Sequence, residues 1–319
     1  MRKTFLLCWI CLFISIVTLS GCSDKVDSKE NSENQNVVRI GYQKNGPLII
    51  LKSLGTLEKS LKPHGYTVEW KEFQAGPALT EALNAGSIDF GRTGNAPPIF
   101  AQASGAPFTY AVAGKSKYKG SGILVPKDSS IQTVADLKGK TIGFAKGSSS
   151  HFLLISALEK VGLTYEDITP AFLSPGDARV AFEQEKIDAM VVWDPFTSSS
   201  EIHSNAKLLI DGEGLTTDRD FFIANDDFIN DNPDIIDLII EEIAKAADWA
   251  NQHHDELVTM LAPILNVDET SVEIMVKRRE YGLDDITEEI IQEQQEIADT
   301  FFELEIIPKR INVEEKMKK

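Results

Sequence analysis

Three stretches of small residues stand where strand-like apolar runs give way to helix-like ones: Ala75-Gly76-Pro77, Gly91-Arg92-Thr93-Gly94-Asn95-Ala96-Pro97-Pro98 and Gly147-Ser148-Ser149-Ser150-His151. A helix that starts at such a junction presents unpaired backbone N–H groups and the positive end of its dipole, which suits a phosphate, sulfate, sulfonate or carboxylate. The glycines permit close approach, and the serines and threonine add hydroxyl donors. One such junction is an ordinary helix cap. Three of them, each following a strand, point to an anion-binding cleft. A fourth stretch, Trp193-Asp194-Pro195, ends the very apolar run Ala189 to Trp193. There Asp194 is expected to cap the next helix, while Trp193 could cover an alkyl or aryl tail, a part that Tyr42 and Phe144 could share.

Enzyme chemistry finds little support. The sequence has no Gly-x-Ser-x-Gly, no His-Glu-x-x-His, no Walker loop and no Gly-x-Gly-x-x-Gly. His253-His254-Asp255-Glu256 has a metal-like composition, but adjacent histidines on a helix point about 100° apart and do not converge as i, i+4 pairs do. The cysteines are Cys8, Cys11 and Cys22, all near the N-terminus, so disulfides, thiolate catalysis and cysteine-ligated zinc are not expected in the folded part. No metal or cofactor is expected. The formal net charge of -17 disfavours nucleic acid and anionic lipid headgroups. An anionic ligand would therefore have to be held by local donors.

The elements that would position these residues emerge when the chain is compared with itself. Ile40-Gly41-Tyr42-Gln43-Lys44 matches Ile142-Gly143-Phe144-Ala145-Lys146, and Phe73, Ala82, Leu83, Ile88 and Asp89 match Phe172, Ala181, Phe182, Ile187 and Asp188, about 100 residues later in both cases. Each copy reads β-α-β-α-β. The first runs through strand 37–42, helix 47–61, strand 66–73, helix 77–84 and strand 87–90. The second runs through strand 140–144, helix 151–161, strand 169–173, helix 177–185 and strand 189–193. Such alternation predicts mainly parallel sheets covered by helices, with ligand crevices beyond the carboxyl ends of the strands. Two lobes facing each other would make a cleft, with hinge candidates at 122–125 and 220–224. After Asn232-Pro233, Ile236, Ile239, Ile243, Ala246 and Ala250 recur at helical spacing. The tail to about Leu304 is thus helical, completing the first lobe or forming a domain of its own.

At the N-terminus, Arg2 and Lys3 precede an apolar run from Phe5 to Leu19 of signal-peptide length, followed by Leu19-Ser20-Gly21-Cys22. This reads as a lipobox, with Cys22 as the lipidated first residue of the mature protein. The segment 23–36 is polar and too poor in apolar residues to pack, as a flexible tether would be. The expected organisation is signal peptide 1–21, lipidated cysteine and tether 22–36, lobe 1 from 37–121 and 222–319, and lobe 2 from 122–221.

The stretches Gly41-Tyr42-Gln43-Lys44, Ala75-Gly76-Pro77, Pro97-Pro98-Ile99-Phe100-Ala101-Gln102, Lys146-Gly147-Ser148-Ser149-Ser150-His151 and Trp193-Asp194-Pro195 together resemble the aliphatic-sulfonate-binding proteins, within the wider nitrate, sulfonate, taurine and bicarbonate binding family. The resemblance implies an α/β type II periplasmic-binding-protein fold, with two Rossmann-like lobes joined by two hinge strands. It also implies a non-enzymatic role, the capture of an alkanesulfonate for an ABC permease and its ATPase; with the lipobox at Cys22, the expected protein is a monomer anchored to the membrane on the extracytoplasmic face. Carried onto this sequence, Gln43, Gly76, Pro77, Thr93, Gly94, Ser149, Ser150 and His151 fall on motifs lining one side of the cleft, with Trp193 and Asp194 opposite. Arg92 and Asn95 depart from the pattern, which leaves taurine, nitrate or a thiamine pyrimidine precursor as alternative ligands of the same machine.

Overall fold

The computed structural model describes residues 36–318. Cys22, the apolar run before it and most of the tether lie outside the described residues. Strands β1 (Asn36–Tyr42), β2 (Tyr66–Glu72), β3 (Phe90–Gly94) and β4 (Phe108–Gly114) build a first sheet. The chain then crosses to a second sheet of β5 (Ser121–Pro126), β6 (Thr141–Phe144), β7 (Thr169–Phe172), β8 (Ala189–Trp193) and β9 (Ala206–Asp211). It returns through β10 (Asp220–Asn225), and β11 (Leu283–Asp284) closes the first sheet. The strand orders are β11-β4-β10-β3-β1-β2 and β7-β6-β8-β5-β9.

The two sheets repeat one plan, and its details differ from the mainly parallel arrangement the alternation predicts. Only β1 with β2 and β3, and β6 with β7 and β8, run parallel. In each sheet the strand arriving from the other lobe, β10 or β5, inserts antiparallel beside the third repeat strand. The hinge candidates at 122–125 and 220–224 are therefore interior strands, and the crossings precede them, at 115–120 and 212–219.

The residues shared by the two halves have physical causes. A Cβ on Gly41 or Gly143 would meet Ile88 or Ile187 Cδ1 at 2.5 Å, so each glycine seats the isoleucine that leads into the third strand. Asp89 and Asp188 each accept the backbone N–H of the residue before the matched isoleucine, Arg39 at 2.7 Å and Thr141 at 2.8 Å. Each then returns its own N–H to that residue's carbonyl. The pair locks the third strand's entry to the first strand.

Helices α1 (Pro47–Leu54), α2 (Thr56–Leu61), α3 (Gly76–Asn84) and α4 (Ala96–Ser104) cover the first sheet, and α5 (Ser149–Lys160), α6 (Pro175–Glu183) and α7 (Phe196–His203) the second. The single helix expected over 47–61 breaks at Gly55, whose φ of 61° is left-handed. The tail folds as α8 (Asp226–Asp231), α9 (Pro233–Gln252), α10 (His254–Leu265), α11 (Glu269–Lys277) and α12 (Glu288–Glu303). The stripe Ile236, Ile239, Ile243, Ala246 and Ala250 is buried in the same core as Ile40, Leu48 and Phe222, with α9 lying on α1 and α2. Each buried isoleucine contributes about 1.5–3 kcal/mol, so this stripe binds the tail firmly to the first sheet. Across the lobes, Phe152 and Ile155 of α5 share a core with Ile297 and Phe301 of α12.

If the glycine–isoleucine seat explains the repeat, Gly143→Ala should destabilise the fold by about 1–3 kcal/mol and Ile187→Val by about 0.5–1.5 kcal/mol. The double variant should lose less than the sum by more than about 0.5 kcal/mol. Urea denaturation of the four proteins measures this, and strict additivity would remove the contact as the cause.

Candidate functional site

Two adjoining cavities lie between the lobes and share Asn45, Lys117 and Trp193 as common wall. Each offers about 20 Å³ to the centre of a water-sized sphere, and a water needs roughly 10–15 Å³ on that measure. The lobes are thus closed on each other. Asn45 Nδ2 of the first lobe donates to the Asp194 carbonyl of the second at 3.2 Å, Arg278 reaches Glu201 at 2.6 Å, and His203 reaches Asp268 at 2.6 Å.

The first cavity, here the head cavity, is where helix starts converge. Helices α1, α3, α4 and α5 begin beside it, and none of their N-cap side chains accepts a bond from the first turn. Elsewhere α6, α8, α11 and α12 are closed by Ser174, Asn225, Asp268 and Thr287, while α2, α9 and α10 also lack a side-chain cap, so it is the convergence on one cavity that sets the first four apart. The starts near the cavity thus keep N–H groups and positive dipole ends for another acceptor. Gly76 opens α3 against Thr93 and Pro97, where a Cβ would collide with Thr93 Oγ1. That hydroxyl is buried and unpartnered. Ser149, the first residue of α5, reaches across from the second lobe, and a Cβ on Gly94 would strike its Oγ.

Arg92 changes the expected electrostatics. The segment Gly91 to Gly94, expected as a loop, is part of β3, and Arg92 points into the interior with 1 % exposure. Its Nη2 pairs with Asp220, and its Nη1 donates to Asn45 Oδ1 at 2.6 Å. Gly46, with φ of 84°, passes over the guanidinium, where a Cβ would come within 3.1 Å of Cζ. Lys117 pairs with Asp218 at 2.5 Å, and Arg279 reaches Asp220 at 3.2 Å. Burial pushes the Asp220 carboxyl up, but Arg92, Lys117 and Arg279 together overcome it and hold it below the usual carboxylate range. Four cations, Arg92, Lys117, Arg278 and Arg279, line the two cavities, against two carboxylates, Asp194 and Asp218. An acidic protein thus carries a cation-rich cleft.

Asp194 bounds the second cavity. Its Oδ1 accepts Ser198 N–H at 2.9 Å, the capping role expected from the sequence. Burial pushes its pKa up to about 6, opposed by Arg278 at 3.5 Å and by the Ser198 bonds. Trp193 is partly exposed, into both cavities.

Of the residues singled out in the sequence, Gln43, Gly76, Gly94, Ser149 and Trp193 line the head cavity, and Asp194 the second. Thr93, Ser150 and His151 lie buried just behind. His151 stacks on Phe144 at 5.0 Å, and its Nδ1 accepts Gly147 N–H at 3.3 Å, bracing the turn that delivers Ser149. Burial, with Lys146 adding to it, drives the His151 pKa down to about 4, so the ring is neutral at physiological pH. Pro77 instead borders a separate surface cavity with Phe100 and Lys146. Tyr42 and Phe144 are core residues, packed on Trp70 and His151. Sequence reasoning missed Asn45, Lys117, Met275, Arg278, Arg279 and Tyr281. The only signal was the basic run Lys277-Arg278-Arg279 in a tail of net negative charge.

Comparison with known proteins places these features. Residues 62–257 match the NMT1/THI5-like family. The chain is 36% identical to an aliphatic sulfonates-binding protein of Escherichia coli (strain K12) over 88% of each chain. It is likewise 36% identical to one of Bacillus subtilis (strain 168), over 96% of this chain and 92% of that one. The alkanesulfonate-binding protein SsuA from Xanthomonas axonopodis pv. citri, bound to MOPS, superposes with a TM-score of 0.86 at 37% identity, over 88% of this chain and 98% of that one. These relatives are binding proteins, not enzymes, and they carry the two-lobed periplasmic-binding-protein fold.

The raised Asp194 pKa has a measurable consequence. Because the folded value of about 6 lies above the ordinary 3.8, the folded protein holds this proton more tightly than the unfolded chain. Stability from this group therefore falls as pH rises between those values. Asp194→Asn keeps an acceptor for Ser198 N–H and cannot ionise. The stability of wild type minus that of the variant should drop by about 2 kcal/mol from pH 4 to pH 6, measured by urea denaturation at each pH. A flat difference would mean that Asp194 ionises as an exposed aspartate does.

Proposed function

This chain belongs to the NMT1/THI5-like family, as a solute-binding protein, and on that premise we propose that it captures aliphatic sulfonates on the extracytoplasmic face and delivers them to an ABC permease driven by a cytoplasmic ATPase. The observation that carries the reading is the head cavity, where uncapped helix starts and hydroxyls from both lobes converge between the two sheets. A sulfonate bears one negative charge over three acceptor oxygens and no donor, so it asks for such a set of N–H and O–H groups. In the proposed complex the oxyanion accepts from backbone N–H groups near Gly76 and Ser149 and from the side chains of Gln43, Thr93 and Ser149. The hydrocarbon chain lies on Trp193. Arg92, which the sequence already offered as a source of charge for the anion, adds positive potential from behind the donors, and Lys117 adds to it, a contribution the sequence reading did not include.

Binding and closure belong together in this reading. A ligand held by Gly76 of one lobe and Ser149 of the other favours the closed form, because it makes both sets of bonds only there. The crossings at 115–120 and 212–219 are the flexing segments in this proposal, and lobe 1 and lobe 2 divide there. The mature chain begins at a lipidated Cys22, which holds a monomer to the membrane near its permease.

Ser149→Ala should weaken sulfonate binding by about 1–3 kcal/mol, the range for losing a hydrogen bond to a charged group. Ser149→Asp should abolish it, since a like charge would face the ligand. Titration calorimetry of the three proteins with 1-butanesulfonate, taurine and nitrate tests both the site and the ligand class. Unchanged affinity in the aspartate variant would remove Ser149 from the site, and binding of nitrate or taurine alone would overturn the alkanesulfonate assignment.

Cys22→Ala should move the protein from the membrane fraction to the soluble fraction without lowering its thermal stability. Retention on the membrane after a high-salt wash would show that something other than a lipid on Cys22 holds it.

A further inference from the structure

The second cavity is neither a plain apolar slot nor an anion site. Met275, Tyr281 and Trp193 give it apolar wall, yet Asp194, Arg278 and Arg279 border the same space. Three of their polar atoms are buried without a hydrogen-bond partner: Asp194 Oδ2, Arg278 Nη1 and Arg279 Nε. Asp194 is only 6% exposed. Its other oxygen is committed to Ser198, and Oδ2 lies beside Gly120, where a Cβ would stand 3.2 Å away. Arg278 spends Nη2 on Glu201, and Arg279 spends its own Nη2 on Asp220. Arg278 Nη1 also stands 3.5 Å from Asp194 Oδ1, an ion-pair contact without a hydrogen bond, so one acceptor and two donors on the wall of one small cavity lack hydrogen-bond partners, against the strong tendency of buried polar groups to be paired.

The mixture selects among ligand groups. An ammonium would satisfy Asp194 but face two guanidiniums, and a carboxylate would satisfy the guanidiniums but face Asp194. A hydroxyl donates and accepts at once, so it can give its proton to Asp194 Oδ2 and take one from an arginine N–H. The cavity adjoins the head cavity across Trp193, where the far end of a chain would emerge. Building on the sulfonate reading above, we propose that this cavity is a subsite for a hydroxyl at the far end of the ligand, so that the protein prefers hydroxyalkanesulfonates to plain alkanesulfonates. A site built to pair a hydroxyl penalises the analogue without it, because its own polar groups are then left unpaired.

The test is calorimetry on matched pairs: ethanesulfonate with 2-hydroxyethanesulfonate, 1-propanesulfonate with 3-hydroxypropanesulfonate, and 1-butanesulfonate with 4-hydroxybutanesulfonate. In the pair whose length fits, the hydroxylated member should bind about 10- to 100-fold more tightly, the range for one hydrogen bond to a charged group. In Asp194→Asn that ratio should fall toward one, because the open acceptor becomes a donor while the cap on α7 is kept. Sulfonate binding with ratios near one, or below it, in every wild-type pair would overturn this proposal and leave the sulfonate reading standing. A preference undiminished in Asp194→Asn would also overturn the assignment to this cavity. If none of the six binds, the sulfonate reading falls and this proposal with it.

Discussion

The buried carboxylate of Asp220 is the point on which the cleft depends. It stands at the first residue of β10, where the chain re-enters the first sheet from the second lobe, and it is 1% exposed. An isolated charge there would cost several kcal/mol. Three cations from three distant parts of the chain converge on it: Arg92 from β3, Lys117 from the first crossing and Arg279 from the segment after α11. The convergence ties together both crossings, the central strand of the first lobe and the C-terminal tail. It also fixes Asn45 through Arg92, and Asn45 is the residue that reaches across to Asp194. Breaking one partner would strand the others, so crossings, tail and cleft wall stand or fall together.

That dependence explains the division of labour between the lobes. The second lobe brings Ser149 and Trp193 from a regular copy of the repeat, with Asp194 Oδ1 already closing α7. The first lobe brings the uncapped starts of α1, α3 and α4, and also the tail, which no counterpart matches in the second lobe. Arg278 and Arg279 arrive by that route. The tail is held to the first sheet by an apolar stripe on α9 far from the cleft, so burial pays for placing charges that would not gather there unaided.

Much of this was legible in the sequence, for identifiable reasons. The β-α-β-α-β copies showed because their shared residues answer one steric and one hydrogen-bonding demand, Gly41 with Ile88 and Asp89 with the Arg39 N–H, each repeated in the second lobe. The junctions at Gly76 and Ser149 showed because small residues at a helix start have few other uses. The segment Gly91 to Gly94 was misread because a strand rich in glycine looks like a loop until its neighbours are known. Its glycines are there for close packing, Gly91 against Leu79 and Gly94 against Ser149. Lys117 was invisible because nothing local distinguishes a lysine in a connector from a solvated one, and the Arg278-Arg279 pair, though visible as basic residues, gave no hint of where it would point. Their function comes from a tertiary approach that spacing does not encode.

The charges of the cleft also bear on how a strongly acidic protein can hold an anion. With a screening length of about 8–10 Å, most of the formal charge of -17 acts weakly at the cleft, and the local set decides. There each cation is already committed to a carboxylate: Arg92 and Arg279 to Asp220, Lys117 to Asp218, and Arg278 to Glu201. The pairs spend most of the positive potential on the protein itself. In the proposed complex, what remains for the sulfonate is the directional set of N–H and O–H groups at the helix starts, with the paired cations behind them as a fixed, moderate field. Free guanidiniums in the same place would hold an anion more strongly but would repel one another when the cleft is empty, and they would open only at a high cost. A binding protein must release what it captures, and donors that are neutral and shared between two lobes lose their grip when the lobes part.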